Sequence, residues 1–292
     1  MSLNRWILAS EVLTDLTARG IELSVNGDAL RYRAPNGSLS DRVRRVLTEY
    51  KPEIVDLLRP RPDLAIAGPV TLEVFVFNPF RVNTYLCHNG GEAIVVDPGS
   101  LTAAESRLLI DYVERNRLKL RHVVTTHGHV DHFCGAASLY ACSSRELRIH
   151  AADLEPLADT RQNALLPSAF DPPVLGRSLE DGERLEFGNA CWRVIHCPGH
   201  SAGSVCFHDP ANRFVFTGDV LFRGAIGGKL AGADALRSML DSIRERLFPL
   251  GDDTVVLPGH GPRTTIGAER MSLDRAELAD EGAPGTRKEI VI

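Results

Sequence analysis

Three histidines and one aspartate fall within six residues, in the stretch THGHVDH at positions 126–132. This stretch directly follows HVVTT, an apolar segment typical of a buried strand. Residues two apart at a strand end point the same way, so His127 and His129 can hold one metal ion. The chain then turns toward a helix, which directs Asp131 and His132 to a second position nearby. The pattern therefore indicates the beginning of a metal site.

Three further stretches place metal-binding residue types directly after apolar strands. HCPGHSAGS at 196–204 follows CWRVI, TGD at 217–219 follows RFVF, and PGHG at 258–261 follows DTVVL. Functional side chains gather at such strand ends. The histidines at 88, 122, 150 and 208 lie outside these motifs, and we interpret them as surface or core residues.

Together, these four motifs resemble the metallo-β-lactamase superfamily and, within it, the glyoxalase II-like hydrolases, over about residues 70–275. The resemblance implies an α/β (α+β) fold, an αββα sandwich with the site at one edge between the sheets. It implies two divalent metal ions, with zinc expected first and iron or manganese as the alternatives. The ligands it assigns are His127, His129 and His200 for one ion, Asp131, His132 and His260 for the other, and Asp219 as the bridge. Asp131 is also expected to orient a metal-bridging hydroxide, the nucleophile.

Three residues in or near these motifs are expected to lie close to the metal site without binding a metal ion. His196 is read as a strand-end residue rather than a ligand, because the resemblance gives that role to His200. Cys197 stands where relatives carry threonine, and we interpret it as a small buried residue. Asp97, in Asp97-Pro98-Gly99, is expected to order the loop below the metals rather than to bind one.

Two metal ions about 3.5–4 Å apart suit the hydrolysis of an electrophilic acyl group. A thioester fits well, because its leaving thiolate has a conjugate-acid pKa of about 8.5 and needs no strong general acid. Glutathione specificity does not carry over, since the chain lacks the C-terminal extension of glyoxalase II proper. After Asp219 the chain reads LFRGAIGGKL, where short relatives usually read LFRGSIGRTD. Phe222, Arg223 and Lys229 of this loop are the candidate substrate contacts, with an ordinary exposed lysine as the alternative for Lys229.

The first sixty residues predict a separate αββαα module. Apolar residues recur at helical spacing up to Gly20, two alternating segments flank Asn26-Gly27-Asp28, and two more helices follow. This run resembles the TubC-type N-terminal docking domain of nonribosomal peptide and hybrid polyketide synthetases, over about residues 8–58. We therefore predict a docking domain at 1–60, a Pro-rich linker at 61–68 and a hydrolase domain at 69–292.

The docking resemblance implies a partner, the C-terminal peptide tail of an upstream synthetase or carrier protein. Such tails add to the exposed edge of a hairpin. Arg31 and Arg33 alternate with Leu30 and Tyr32, so they are expected to face outward, where they suit an acidic tail. The alternative is that the two arginines only keep an edge strand soluble. Self-association of the module into a homodimer stays open.

The two resemblances together favour a thioesterase that acts in trans on acyl or peptidyl chains of phosphopantetheine carrier proteins, for release or editing. Three alternatives remain. The first is a small-molecule thioesterase of the hydroxyacylglutathione hydrolase type, or a lactonase. The others are an iron-dependent persulfide dioxygenase and a non-catalytic docking scaffold.

Composition limits the other partners. The 292 residues have a formal net charge of -5 and are 43% apolar. This balance gives no general attraction to nucleic acid. No apolar run approaches the roughly 18 residues of a membrane span. The six cysteines form no CxxC pair, and the first residues do not read as a secretory signal. We therefore predict a cytoplasmic enzyme without a nucleic-acid or membrane partner.

Overall fold

The computed structural model of the chain describes residues 3–35, 38–59, 68–157, 171–227 and 232–281. Within these ranges helices and strands mix as the predicted α/β class requires. The expected linker at 61–68 lies outside the described residues except for Gly68, and Lys229 also lies outside them. Among the described residues, no helix combines the length and the apolar character needed to span a membrane.

The N-terminal part has the predicted αββαα order. Its elements are α1 (Leu3–Ala18), β1 (Glu22–Asn26), β2 (Ala29–Arg33), α2 (Asp41–Glu49) and α3 (Lys51–Leu58). Strands β1 and β2 form an antiparallel hairpin, and Ser40 caps α2 by accepting a hydrogen bond from the backbone of Val43. The module has its own small core, made of Ala9, Leu16, Ile21, Val43, Leu47, Ile54 and Leu57.

The hairpin differs from its prediction at one residue. Arg31 and Arg33 are exposed, as the alternation predicts. Tyr32 was expected on the buried face but is 49% exposed, so that part of the prediction is wrong. The small core reaches Leu23 and Leu30 of the hairpin, and Tyr32 lies beyond it.

The remainder of the chain forms two sheets with helices on their outer faces. The first sheet has the strand order β3-β4-β5-β6-β7 and the second has the order β15-β14-β11-β10-β9-β8. The first contains β3 (Thr71–Phe77), β4 (Val82–Asn89), β5 (Glu92–Val96), β6 (Lys119–Val124) and β7 (Leu147–Arg148), with α4 (Ala103–Arg115), α5 (Ala136–Ser143) and α6 (Leu154–Leu157) between or after them. The second contains β8 (Arg184–Phe187), β9 (Ala190–His196), β10 (Val205–Asp209), β11 (Phe214–Gly218), β14 (Val255–Pro258) and β15 (Thr264–Thr265). The short hairpin β12 (Leu221–Phe222) and β13 (Ala225–Ile226), then α7 (Gly232–Ser242), follow β11, and α8 (Ile266–Glu281) follows β15.

Alternating side chains of the two sheets build three apolar layers, and these confirm the αββα sandwich. Between the sheets, Tyr85 of β4 packs with Trp192 of β9 and Phe216 of β11. On the outer face of the first sheet, Leu86 joins residues of α4 and α5. On the outer face of the second, Val215 joins Met239 of α7 and other apolar residues. The strand ends between these layers carry the polar motifs.

Candidate metal centre

The loop after β6 and the loop after β9 bring three imidazoles to one point. The Nε2 atom of His127 lies 3.0 Å from Nδ1 of His129. The Nε2 atom of His200 lies 3.2 Å from the first of these atoms and 2.9 Å from the second. Zinc–nitrogen bonds of 2.0–2.1 Å in a tetrahedral site place the nitrogens about 3.3 Å apart. The three nitrogens therefore converge at nearly the spacing that a shared metal ion needs.

A second group lies beside the first. Asp131 and His132 belong to a single 3-10 turn, Val130–His132, and His260 follows β14. The two Nε2 atoms of the histidines are 3.2 Å apart. Oδ2 of Asp131 lies 3.6 Å from Nε2 of His132 and 3.4 Å from Nε2 of His260. These three side chains face one another with their metal-binding atoms.

Asp219 lies between the two groups. Its carboxylate oxygens are 3.7 Å from His200 Nε2, 3.5 Å from His132 Nε2 and 3.6 Å from His260 Nε2. The ligand atoms of Asp219 and the first group all lie within 4.8 Å of one another. The structure thus brings together all seven residues that the sequence predicts as ligands.

The donor chemistry of these groups fits a pair of divalent cations. Oδ1 of Asp219 and Nδ1 of His260 are buried without a hydrogen-bond partner among the described residues. Leaving a buried carboxylate oxygen unpaired is costly. A cation between the groups would satisfy Asp219, and imidazole with carboxylate is a ligand set that zinc accepts.

Burial and charge act in opposite directions on the histidines. Burial lowers the pKa of His127 well below its usual range, and the neighbouring His132 adds repulsion. Burial also acts to lower the pKa of His132, but the carboxylates of Asp131, Asp219 and Asp97 outweigh it and hold this pKa well above the usual range. For Asp219, burial acts to raise the pKa, and His132 outweighs it, so the pKa is lowered. The centre therefore holds anionic carboxylates among its imidazoles.

Asp97 lies beneath the second group and contacts it directly. Nδ1 of His132 lies 3.0 Å from Oδ2 of Asp97. The same carboxylate accepts hydrogen bonds from the backbone and hydroxyl of Thr126, at 2.7 and 2.9 Å, and from the hydroxyl of Thr125 at 3.1 Å. Asp97 is not among the residues that converge on either metal position. It fixes the imidazole of His132 so that Nε2 faces the metal position.

Two asparagines that the sequence analysis did not single out hold the loops of the second group. Asn78 Nδ2 donates to the backbone oxygens of Gly99, at 2.9 Å, and Asp131, at 3.0 Å. Asn83 Nδ2 donates to the backbone oxygens at positions 258 and 261, on both sides of His260, at 3.0 and 2.9 Å. Two buried asparagines at the end of β3 and in β4, where such residues are uncommon, were the available signal.

The remaining predicted residues lie around the centre or away from it. His196 stacks on His150, with ring centroids 4.2 Å apart, and belongs to neither ligand group. Cys197 is fully buried. The Phe222 ring lies 6.4 Å from that of His260, and Arg223 is exposed at the following turn. Arg31 and Arg33 lie on the N-terminal hairpin.

Comparisons with known proteins match both parts of the chain. Residues 77–260 match the metallo-beta-lactamase superfamily, and residues 10–59 match the TubC N-terminal docking domain. The hydroxyacylglutathione hydrolase GloC of Haemophilus influenzae is 32% identical over 210 residues, which cover 70% of this chain and 96% of that protein.

Comparison with solved structures also finds relatives of the catalytic part of the chain. TTHA1623, crystallised in a di-iron-bound form, is 36% identical with a TM-score of 0.58, and the match covers 68% of this chain and 97% of that one. ETHE1 of Myxococcus xanthus is 23% identical with a TM-score of 0.53, covering 68% of this chain and 81% of that one. At that identity, ETHE1 shows the shared fold alone.

Proposed function

Because the chain belongs to the metallo-beta-lactamase superfamily and carries a TubC N-terminal docking domain, we propose that it is a thioesterase of a nonribosomal peptide or polyketide assembly line. It would act in trans on acyl or peptidyl chains held by phosphopantetheine carrier proteins, with two divalent metal ions. The chain is a hydrolase of this superfamily and has a hydroxyacylglutathione hydrolase among its relatives. The proposed division of the chain is a docking domain at 1–60 and a hydrolase domain at 69–292.

The observation that carries the chemistry is the meeting of two ligand groups at Asp219. Two divalent ions held there would polarise a thioester carbonyl and make hydroxide available from water at neutral pH. Oδ2 of Asp131 lies 3.4 Å from His260 Nε2, and in this proposal Asp131 would orient the hydroxide as an anionic member of the second ligand group. The departing thiolate needs no strong proton donor at neutral pH.

Two features support a thioester over other acyl groups. GloC is named for the hydrolysis of a glutathione thioester, and it aligns over nearly its whole length with this chain. The Phe222 ring beside His260 offers an apolar surface next to the second ligand group, which suits an acyl chain. We propose Phe222, Arg223 and Lys229 as substrate contacts of this loop.

The docking module supports a carrier-bound substrate. Arg31 and Arg33 are exposed on β2, whose outer edge has no partner strand among the described residues. An acidic peptide tail that adds to this edge would meet both guanidinium groups. Docking would raise the concentration of the hydrolase around one carrier protein without any new contact in the metal centre. A short tail therefore suffices to direct a general thioesterase to one assembly line.

The test is hydrolysis of an acyl-phosphopantetheinyl carrier protein by the zinc-loaded full chain, followed by intact-protein mass spectrometry. Carriers with and without an acidic C-terminal tail would be compared. We expect Asp131→Ala to abolish hydrolysis of both. We expect Arg31→Ala/Arg33→Ala to remove only the advantage of the tailed carrier. Arg44→Ala/Arg45→Ala makes the same charge change at exposed positions of α2 and serves as the matched control.

Two outcomes would reject the proposal in different ways. Turnover of S-lactoylglutathione without loss of the acyl group from any carrier would leave a small-molecule thioesterase. The second candidate is an iron-dependent persulfide dioxygenase, and the di-iron-bound form of TTHA1623 supports only the point that a relative of this chain accepts iron. One iron ion per chain, with oxygen consumption on a persulfide and no thioester cleavage, would assign the chain to that chemistry instead.

A further inference from the structure

One buried carboxylate links the two loops that supply the first ligand group. Asp153 ends the 3-10 turn Ala151–Asp153 after β7, and none of its surface is exposed. Its Oδ2 accepts hydrogen bonds from the backbone N–H of Gly128 at 2.8 Å and from the hydroxyl of Ser201 at 2.6 Å. Its Oδ1 accepts from the backbone N–H of Gly203 at 2.7 Å.

These three donors come from two separate segments of the chain. Gly128 lies between His127 and His129, while Ser201 and Gly203 lie one and three residues after His200. The segments belong to different sheets, since one follows β6 and the other follows β9. Asp153 belongs to neither ligand group. It therefore connects the two halves of the group without offering a ligand to it.

The glycines at the two backbone donors are required by this contact. A Cβ atom at position 128 would lie 2.9 Å from the backbone oxygen of Asp153, and one at position 203 would lie 2.7 Å from its Cγ. Both distances are shorter than side chains tolerate beside a fixed neighbour. Only glycine lets the two backbone N–H groups reach the carboxylate.

We propose that Asp153 is a positioning residue for the first metal ion, and this inference rests on the proposed dinuclear hydrolase. Charge-assisted hydrogen bonds from two loops to one carboxylate hold His127 and His129 at a fixed distance from His200. Without that link, binding of the metal ion must itself bring the three imidazoles together, and the affinity for the ion is lower by the free energy that this ordering costs. Asp97 has the corresponding position below the second group, so each metal position has its own buried carboxylate.

A carboxylate of the same kind elsewhere in the fold provides a matched control. Asp209 ends β10, whereas Gly203 lies just before the beginning of that strand. It is 1% exposed and accepts hydrogen bonds from Trp192 Nε1 at 3.0 Å and from the backbone and side chain of Asn212 at 2.9 and 2.7 Å. We expect loss of either carboxylate to weaken the fold, but of the two only Asp153 bonds to the ligand loops.

The experiment compares Asp153→Asn and Asp209→Asn in the full chain. Zinc affinity is measured by competition with a chromophoric chelator, and the thermal midpoint is measured without metal. We expect both variants to lose thermal stability in the metal-free state. We expect Asp153→Asn alone to retain one tight zinc ion and to bind the other about 10–100-fold more weakly. Excess zinc should restore the turnover of Asp153→Asn, which a general folding defect would not allow.

Two zinc ions bound by Asp153→Asn with wild-type affinity would overturn the inference. If this variant does not fold, Ser201→Ala replaces it. This change removes the hydroxyl that bonds to Asp153 and to the Ser204 hydroxyl, and it leaves the carboxylate its two backbone donors. We expect a weakening of about fivefold at one zinc site, and unchanged affinity would again overturn the inference. The zinc titration uses no substrate. A chain that binds two zinc ions but cleaves no thioester would therefore reject the proposed function and leave this inference standing.

Discussion

Replacement of Asp97 by asparagine tests whether the residues below the centre control metal binding separately from stability. Oδ1 of Asp97 accepts hydrogen bonds from the Thr126 backbone and the Thr125 hydroxyl, and an asparagine oxygen can keep both. The new amide nitrogen would face the Thr126 hydroxyl and Nδ1 of His132. The hydroxyl can rotate to accept. The imidazole, whose pKa is raised by its carboxylate neighbours, can accept once it gives up its Nδ1 proton and keeps the one on Nε2.

The magnitudes follow from this exchange of partners. Few donors are left unpaired, so we expect the metal-free chain to lose only about 1–2 kcal/mol of unfolding free energy. The His132 tautomer that accommodates the amide carries its proton on Nε2, which is the atom that faces the second metal position. A metal ion can bind His132 only after the Nε2 proton of that tautomer has left. We expect zinc affinity at one site to fall about 10–100-fold, or roughly 1.4–2.7 kcal/mol.

Two measurements on the same preparation check this reasoning. Urea unfolding of the metal-free Asp97→Asn chain gives the stability change, and a chelator competition titration gives the affinities of the two zinc ions. Wild-type affinity at both sites would refute the argument that Asp97 selects the His132 tautomer. A loss of more than about 4 kcal/mol without metal would show that the amide is not accommodated.

Three further predictions concern the whole centre and its support. Removal of metal with a chelator should lower the thermal midpoint of unfolding reversibly. Each ion, at a hundredfold excess over its dissociation constant, contributes roughly 2.7 kcal/mol to the unfolding free energy. Failure of added zinc to restore the midpoint would contradict this prediction. Zinc affinity should decrease as pH falls, by about tenfold per pH unit for each proton displaced. The reason is that Asp131 and Asp219 hold the pKa of His132 above its usual range, so protons compete with zinc for this residue. A competition titration between roughly pH 6 and 8 would show the decrease, and stronger binding at low pH would refute it. Trp192→Phe should lower the unfolding free energy by about 2 kcal/mol in urea, because Asp209 loses its indole donor, while both zinc affinities stay unchanged.

The strands that carry the motifs could be predicted from the sequence because the strand residues just before each motif are buried on both faces. The segments of β6, β9, β11 and β14 contain short apolar runs, and each run ends directly at a polar motif. A strand covered on both faces gives such a run rather than an alternation. The end of the run then marks the edge of the sandwich. The runs locate the polar motifs, whereas the assignment of the seven ligands within them rests on the resemblance to the metallo-β-lactamase superfamily.

Strand β4 could not be predicted in the same way. It reads VNTYLCHN and lies inside the first sheet, yet its first half is polar. The polar residues are buried because they hold other parts of the centre. Asn83 bonds to both sides of the His260 loop, and the hydroxyl of Thr84 donates to the backbone oxygen of Asp97. Because these positions of β4 carry polar residues that bond to distant loops, the strand lacks the apolar pattern on which strand prediction depends.

Asp153 was missed for a related reason. A single aspartate near the end of a two-residue strand belongs to no motif, and its role appears only when loops from both sheets are assembled around it. The sequence does contain an indirect signal in Gly128 and Gly203, which flank the ligands at positions where a side chain would collide with Asp153. Glycines inside a metal-binding motif thus indicate a close neighbour before that neighbour is known.

The positions of Asp97 and Asp153 indicate what the docking module can add to the proposed enzyme. Asp97 and Asp153 both lie in the same part of the chain as the ligands, and no residue of the N-terminal hairpin contributes to either ligand group. We therefore expect the hairpin to leave the chemistry of the metal centre unchanged. If the chain acts on carrier proteins, docking changes the effective concentration of substrate and leaves the turnover of a bound thioester the same. Loss of Arg31 and Arg33 should then raise the KM for a tailed carrier, whereas loss of Asp97 or Asp153 should be reversed by added zinc.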